Sequence, residues 1–353
     1  MPAWVDSAPD PAVLVSDLIR GAWKAQVARA MAELRLADAL VEPGTAEQVA
    51  ERTGTHAPTL DRLLRTLAAL GLLSYRDGRF ELTEAGARLR SDVAGSDWGA
   101  MMMMPAPWTL ATWHQLPEAV RTGQPVFEQV HGEPFWDFLR SHEAVGRVFD
   151  AAMARESKDR EAVALVVAEL EHSGATTLVD VAGGTGRLLA QVVAERPGLR
   201  GVLADLDGPV GGAADVFVAH GVGDRCEAVV CDFFDAVPEG GDCYLLSNIL
   251  HDWDDDRCQD ILRRVHEAAA PGARVLVLET LLPEERDGVR PDSAPIHLLD
   301  LMMLLNFGAR ERSLAEYAAL LETAGFDDVR LAGGTGPHAV VATRRRRRVR
   351  GTV

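Results

Sequence analysis

Between Tyr244 and Asp256 the chain reads Tyr-Leu-Leu-Ser-Asn-Ile-Leu-His-Asp-Trp-Asp-Asp-Asp, an apolar run that turns acidic at His251. Imidazole changes charge near neutral pH, so a histidine at such a boundary is a candidate general base. The next apolar run, Arg274-Val-Leu-Val-Leu-Glu279, ends on a carboxylate in the same way. If both runs are strands of one open α/β sheet, His251 and Glu279 lie at or near carboxyl strand ends, where such sheets place their sites. Consecutive strands usually neighbour one another, so the two side chains are expected to meet. A carboxylate that holds one imidazole nitrogen leaves the other able to take a proton and stabilises the imidazolium that forms. Taken alone, a histidine at this position also fits a structural role.

An upstream segment offers a place for a nucleotide-like ligand. Thr177-Leu-Val-Asp-Val-Ala-Gly-Gly-Thr-Gly186, followed by Arg187-Leu-Leu-Ala-Gln-Val-Val-Ala194, reads as strand, tight glycine loop and helix. In that arrangement backbone N–H groups at the helix N-terminus face the ligand. The glycines at 183, 184 and 186 depart from G-x-G-x-x-G, which argues against a pyrophosphate cradle. Glycines that merely reach positive φ would give the same turn. The next run, Gly201-Val-Leu-Ala-Asp-Leu206, carries Asp205 roughly 20 residues past the loop, where nucleotide folds place the carboxylate that accepts ribose hydroxyls. A third run, Cys226 to Phe234, ends with Asp232 and Phe233, an acid for an adenine amino group and an aromatic face for its ring.

These elements belong to a chain of 353 residues, 47% hydrophobic and 25% charged, enough for two domains with their own cores. No apolar stretch reaches the ~18 residues of a membrane span, and the N-terminus has no basic segment leading into an apolar core, so a soluble, cytoplasmic protein is expected. The net charge of −17 argues against nucleic acid as the main partner. The run Arg344 to Arg348, with Arg350, reads as a solvated tail and is assigned no function. The four cysteines, 226, 231, 243 and 258, contain no C-x-x-C pair; reduced core thiols are expected, and no metal site.

The first hundred residues are patterned differently. Asp10–Leu40, Thr45–Thr53 and Ala57–Leu72 carry apolar residues at helical spacing, and Thr45-Ala-Glu-Gln48 is a capping box. Leu72–Tyr75 and Arg79–Leu82 flank the turn dipeptide Asp77-Gly78, and Thr83-Glu84 opens another helix. Helices plus a hairpin make a winged helix, and a DNA-binding regulator is the reading from a different class. Its recognition helix would be Ala57 to Gly71, which offers Arg62 and Arg65 but is otherwise mostly apolar and suits core or dimer packing better. A connecting region follows, with Met101 to Met104 and aromatic residues that include Trp108, Trp113, Phe127, Phe135, Trp136 and Phe149. Successive helical residues are ~100° apart, so four methionines cannot all face one core, and flexible thioethers suit a flat aromatic ligand as well as interdomain filling. Phe149 and Met153, at i and i+4, share a helix face.

The His-Asp-Trp tripeptide after an apolar strand, Glu279, and the segment Asn306-Phe-Gly-Ala-Arg-Glu-Arg312 together make a specific resemblance. Over nearly its whole length the chain resembles S-adenosylmethionine-dependent O-methyltransferases of the caffeic acid/acetylserotonin type, including bacterial natural-product members. The resemblance implies a winged-helix dimerisation domain over residues 1–98. Residues 99–353 would hold connecting helices and a Rossmann-like class I methyltransferase domain, and the protein would be a homodimer. It implies His251 as the base that deprotonates a hydroxyl of an aromatic small molecule, flanked by Glu279 and Glu311. It carries the cofactor loop onto Asp180 through Gly186, with Gly183 at the methionine end. Asp205 and Leu206 take the ribose motif, Asp232 and Phe233 the adenine motif, and Ser247, Trp253 and Arg147 further cofactor positions. Met103, Phe149, Met153, Asn248, Met302 and Asn306 fall at acceptor positions; Asn248 and Asn306 would orient a hydroxyl or carbonyl, or cap local backbone.

Two departures stand out. Ala182 replaces the first glycine of the family's Gly-Gly-Gly-Thr-Gly, which leaves the turn glycines intact, and Asp207 replaces the proline of Asp-Leu-Pro. A nicotinamide-dependent oxidoreductase is disfavoured by the closely spaced glycine loop. Relatives that have lost the histidine and use the cofactor for hydroxylation or decarboxylation are disfavoured by the presence of His251 and both glutamates.

Overall fold

In the computed structural model, which describes residues 10–93, 95–156, 160–284, 289–333 and 338–345, the N-terminal amphipathic segments form α1 (Pro11–Glu33), α2 (Leu36–Ala39), α3 (Ala46–Thr53) and α4 (Ala57–Ala69). The helical stretch expected over Asp10–Leu40 is interrupted at Arg35, whose φ of 53° is left-handed and stops a right-handed helix. The capping box at α3 is present: Gln48 N–H donates to the Thr45 hydroxyl, and Thr45 N–H donates to Gln48 Oε1 at 3.0 Å. Strands β1 (Leu73–Arg76) and β2 (Arg79–Leu82) pair antiparallel across Asp77 and Gly78, both at positive φ as a tight hairpin requires. The short α5 (Glu84–Ala87) starts at the Thr83 cap. Leu60, Leu64 and Leu67 of α4 are buried with Met31, Val49 and Phe80.

The connecting region forms α6 (Trp98–Met103), α7 (Pro107–Trp113), α8 (Leu116–Thr122), α9 (Phe127–His131), α10 (Phe135–Ser141) and α11 (Glu143–Glu156). Met1–Ala111 and Trp136–Glu156 make one compact unit, Thr112–Phe135 and Ser157–Val353 the other. Within the first, α6 packs on α11 through Gly99: a Cβ there would stand 2.5 Å from the backbone of Ala151 and Ala152. Gly99→Ala is therefore expected to lower unfolding stability by about 1–3 kcal/mol, measured by chemical denaturation, despite alanine's better helix propensity. Of the four methionines, Met103 is buried, Met104 exposed, and Met101 and Met102 half-buried.

The second unit continues with α12 (Arg160–Ser173), β3 (Thr177–Val181), α13 (Arg187–Glu195), β4 (Arg200–Asp205), α14 (Asp207–Val210), α15 (Ala213–Ala219) and β5 (Cys226–Val230). There follow β6 (Cys243–Ser247), α16 (Asp255–Ala268), β7 (Arg274–Glu279), α17 (Ala294–Phe307), α18 (Leu314–Thr323), β8 (Phe326–Ala332) and β9 (His338–Arg344). The seven strands order as β5-β4-β3-β6-β7-β9-β8, parallel from β5 to β7, with β9 antiparallel to both its neighbours. The central strands β3, β6 and β7 are covered on both faces, which is why they are near-continuously apolar. Leu178, Leu245 and Leu276 point to the layer containing Val163, Val166 and Leu189, and Val179, Leu246 and Val277 to that containing Ile261, Leu262 and Tyr317.

The cysteines depart in part from the expectation. Cys243 and Cys258 are buried, Cys258 on a helix, but Cys226 and Cys231 are only half-buried, because β5 is the sheet edge and Cys231 lies beyond its end. Of the arginine-rich tail, only Arg344 and Arg345 lie among the described residues; Arg345 pairs with Asp327. No helix among the described residues is long and apolar enough to cross a membrane.

Candidate active site

Strands β3 and β6 are neighbours, but the chain leaves β3 towards β4 and leaves β6 towards β7, on the opposite side. Their carboxyl ends thus flank a topological switch point, where open α/β sheets bind ligands. Two segments emerge there: the glycine loop after β3 and the turn carrying His251 after β6.

The glycine loop owes its sequence to close approaches. A Cβ on Gly183 would lie 2.3 Å from Asp180 Oδ2 and 2.8 Å from Leu203 Cδ1. Gly186 caps α13 in left-handed conformation, and a Cβ there would lie 2.7 Å from the Phe217 ring. The substitution at Ala182 is less innocent than its small side chain implies: its φ is 58°, a conformation that costs an alanine about 1 kcal/mol. Its N–H is fixed by donation to Ala204 O at 2.7 Å.

Asp205 ends β4 as expected. Its Oδ2 accepts the Gly184 N–H at 2.7 Å and its Oδ1 the Leu206 N–H at 2.6 Å. Burial raises its pKa, and these two amides oppose the rise. Beneath the loop, Asp180 is buried with neither carboxylate oxygen hydrogen-bonded. Burial, reinforced by the charge of Asp205, pushes its pKa up to about 7. Orphaned buried acceptors under a tight loop, with a second carboxylate alongside, fit a ligand that brings cationic and hydroxyl donors.

The third expected strand stops at Val230, not Phe234, and Asp232 and Phe233 lie in the loop beyond it. Asp232 is exposed and accepts the Phe234 N–H at 2.9 Å, a local turn bond. Phe233 and Phe234 meet Trp253 edge-on, with centroids 6.0 and 4.8 Å away, and the Arg257 guanidinium lies 3.5 Å over the Phe234 ring. The structure thus groups Phe233 with Trp253, residues the sequence separates by twenty positions.

The strand expected to run up to His251 ends at Ser247. Asn248 breaks it with a φ of 54°, and His251 sits in a short 3₁₀ turn, Leu250–Asp252. The turn is held by its amides: Ile249 and Leu250 N–H donate to Glu279 Oε1 at 3.1 and 2.9 Å. Glu279 and His251 meet as the adjacency of β6 and β7 required. His251 Nδ1 lies 3.0 Å from Glu311 Oε1 and 3.3 Å from Glu279 Oε2, and Nε2 lies 3.6 Å from Asp252 Oδ1. Glu311 is buried, and its N–H donates to Asp300 of α17 at 2.9 Å.

Burial disfavours the charged imidazole, but Glu279, Asp252 and Glu311 outweigh it, and the His251 pKa is pushed up to about 10. Burial likewise pushes Glu279 to about 7 and Asp252 to about 6, each against the pull of His251. The cluster titrates as a set, and its direction is clear: the site favours a proton on the imidazole.

The remaining expected site residues divide between the two units. Met302 and Asn306 lie one turn apart on α17, both half-buried, and Asn248 and Ser247 lie before the His251 turn. In the first unit Met103 is buried on α6, while Phe149, edge-on to Trp136 at 5.6 Å, and Met153 are half-buried on α11. Arg147, also on α11, is largely exposed and paired with Glu143 one turn earlier. Leu206 is exposed. Sequence reasoning gave no role to Asp252 or Arg312, although both stand inside the quoted motifs.

Residues 113–327 match the O-methyltransferase domain family and residues 16–92 the O-methyltransferase dimerisation domain family. The mitomycin biosynthesis 6-O-methyltransferase of Streptomyces lavendulae is 38% identical over 335 residues, 94% of each chain. An O-methyltransferase from neocarzinostatin biosynthesis, solved with S-adenosylmethionine and 2-hydroxy-5-methyl naphthoic acid, superposes with a TM-score of 0.74 at 35% identity, covering 92% of this chain and 96% of its own. Human N-acetylserotonin methyltransferase, solved with S-adenosylmethionine, gives a TM-score of 0.85 at 28% identity, covering 96% and 99%. With both domain families matched and this similarity spanning almost the whole length, the chain belongs to the S-adenosylmethionine-dependent O-methyltransferases of natural-product biosynthesis.

Proposed function

We propose that this enzyme methylates a hydroxyl of a flat aromatic or polyketide-type small molecule, with His251 as general base. The observation that carries this reading is the imidazole whose Nδ1 faces two buried carboxylates, which makes Nε2, 3.6 Å from Asp252 Oδ1, the nitrogen that would take the acceptor's proton. Bound S-adenosylmethionine supplies an electrophilic sulfonium methyl and leaves as the neutral thioether. His251 Nε2 takes the hydroxyl proton while the acceptor oxygen bonds to the methyl carbon and the sulfur–carbon bond breaks. A phenol has a pKa of ~10 and an ordinary imidazole ~6.5, so the transfer is uphill until Glu311 and Glu279 favour the imidazolium. Holding oxygen and methyl carbon ~3 Å apart and in line supplies much of the remaining rate.

On this reading Asp205 and Leu206 hold the ribose, and Asp232, Phe233 and Trp253 the adenine. Gly183, above Asp180, would take the methionine end, with Ser247 nearby on β6. Met302, Asn306 and Asn248 would face the acceptor, joined by Met103, Phe149 and Met153. The naphthoic acid and N-acetylserotonin named for two of the relatives are flat aromatic molecules, which supports an acceptor of that class. Residues 1–98 would serve dimerisation and 99–353 the chemistry, in a cytoplasmic homodimer. Exposed Leu18, Ile19 and Trp23 on α1 support a subunit contact there, and the burial of Leu60, Leu64 and Leu67 favours a packing role for α4 over DNA readout.

The test is mass spectrometry of S-adenosylhomocysteine formation and of a product heavier by one CH₂, over a panel of phenols, hydroxyquinones and aryl acids. Methylated oxygen is the expected outcome. Methylated nitrogen, or oxidised or decarboxylated product, would overturn it. His251, Glu279 and Glu311 also bring ligand atoms within 4.8 Å of one another, a spacing a cation could use. Turnover unchanged by excess chelator is expected, because the proposed step needs no Lewis acid; loss restored by a divalent metal would overturn that part.

A further inference from the structure

The turn that carries His251 is gripped from two sides. Glu279 Oε1 takes its amides, as described, and its carbonyls are taken by Arg312, the residue after Glu311. Arg312 is fully buried. Its Nη1 donates to Leu250 O at 2.9 Å and Arg310 O at 3.3 Å, and its Nη2 to Trp253 O at 2.8 Å. Its Nη2 and Nε reach Asp255 Oδ1 at 2.7 and 3.0 Å. These five contacts match the five N–H donors of a guanidinium, in the fixed planar fork that only arginine has. Leu250 and Trp253 bracket His251 and Asp252, so the clamp fixes both ends of the turn. Cys258 Sγ approaches the same two carbonyls at 3.2 and 3.5 Å. Arg312 O in turn accepts the Leu282 N–H at 3.0 Å, anchoring the Glu311 segment to the chain just beyond β7.

We infer that Arg312 is a positioning residue for the base: it ties the backbone of the His251 turn to the segment bearing Glu311, and so fixes the imidazole between Glu311 and Glu279. The inference rests on His251 being the base. A buried arginine whose one carboxylate partner, Asp255, is half-exposed is costly to keep as mere packing. The groups that set the imidazole's charge are Glu279 from β7, Glu311 before α18 and Asp252 from the turn itself. Arg312, Cys258 of α16, Tyr317 of α18 and Asp300 of α17 stand behind them.

The experiment is steady-state kinetics across pH for Arg312→Lys, Arg312→Met and Asp255→Asn, beside wild type and His251→Ala. Arg312→Lys keeps the charge and loses the fork. It is expected to lower kcat at least tenfold with KM for S-adenosylmethionine within about threefold. The acid limb of the rate profile is expected to move to lower pH, because an imidazole displaced from its carboxylates is easier to deprotonate. Asp255→Asn, milder and at an exposed position, is expected to shift the limb the same way by less, and it decides the matter if the Arg312 variants do not fold. A role through charge alone would leave the limb unmoved in Arg312→Lys and raise it in Arg312→Met. A purely structural role would lower the melting temperature with kcat and limb unchanged. Either pattern overturns the inference while leaving the base in place, whereas full turnover by His251→Ala removes the base and the inference with it.

Discussion

Turnover by the His251→Ala variant is expected to fall by about 10²–10⁴-fold, the usual contribution of a positioned general base, with S-adenosylmethionine affinity retained. The geometry makes the loss specific to the proton: alanine vacates Nε2, while Asp205 and the glycine loop keep their backbone hydrogen bonds. The pH profile gives a second readout. Because Glu279, Asp252 and Glu311 raise the His251 pKa against burial, the imidazole is expected to hold its proton in the resting site at neutral pH. Activity of the wild type should therefore rise with pH along an acid limb lying above the ordinary imidazole value of ~6.5. That limb should be absent from the residual activity of His251→Ala. A variant with near-wild-type turnover, or with an unchanged limb, would remove His251 as the base.

The second large effect is on stability. Asp180→Asn is expected to stabilise the fold at pH 8 and to stabilise it progressively less as the pH falls towards 5. The sign follows from the raised pKa: burial holds the Asp180 carboxyl at about 7, far above its ordinary value of 3.8. The native state thus favours the protonated form. That advantage is full below the unfolded value and is lost as pH rises through about 7, so at pH 8 the ionised carboxylate strains the fold by up to about 4 kcal/mol. Asparagine keeps the shape without the charge. Its cofactor affinity should fall meanwhile, since an acid with no hydrogen bond beneath a ligand loop fits a cationic ligand group. Thermal unfolding at pH 5, 6.5 and 8 and titration with S-adenosylhomocysteine read the two effects. Equal destabilisation at every pH would mean that the carboxylate is satisfied in solution and the account is wrong.

Most of the scaffold is legible in the chain because it depends on local rules. The Thr45 box, the Asp77-Gly78 hairpin, the loop at Gly183 to Gly186 and the carboxylate at Asp205 each follow from short-range propensity or spacing. The meeting of His251 with Glu279 needs only that two consecutive strands be neighbours. Burial was harder to read. Asp252 and Arg312 stand in acidic and basic stretches that read as solvated surface, and no period or motif distinguishes a buried charge from an exposed one. Arg147 was read from its matching position alone, and the fold adds only that it is an exposed partner of Glu143.

By itself, then, the sequence pointed to the five parallel strands with their loops, the candidate base and its first carboxylate, and the family to which they belong. The tertiary structure decided the charge state of the site and how its backbone is held. The imidazole of His251 is basic because residues up to sixty positions apart share one water-poor space. The Asp180 carboxyl is neutral-leaning because the glycine loop closes over it. The His251 turn is rigid because a distant guanidinium reaches its carbonyls. Desolvation and long-range hydrogen bonding act through distance in space, and distance in space exists only once the chain has folded.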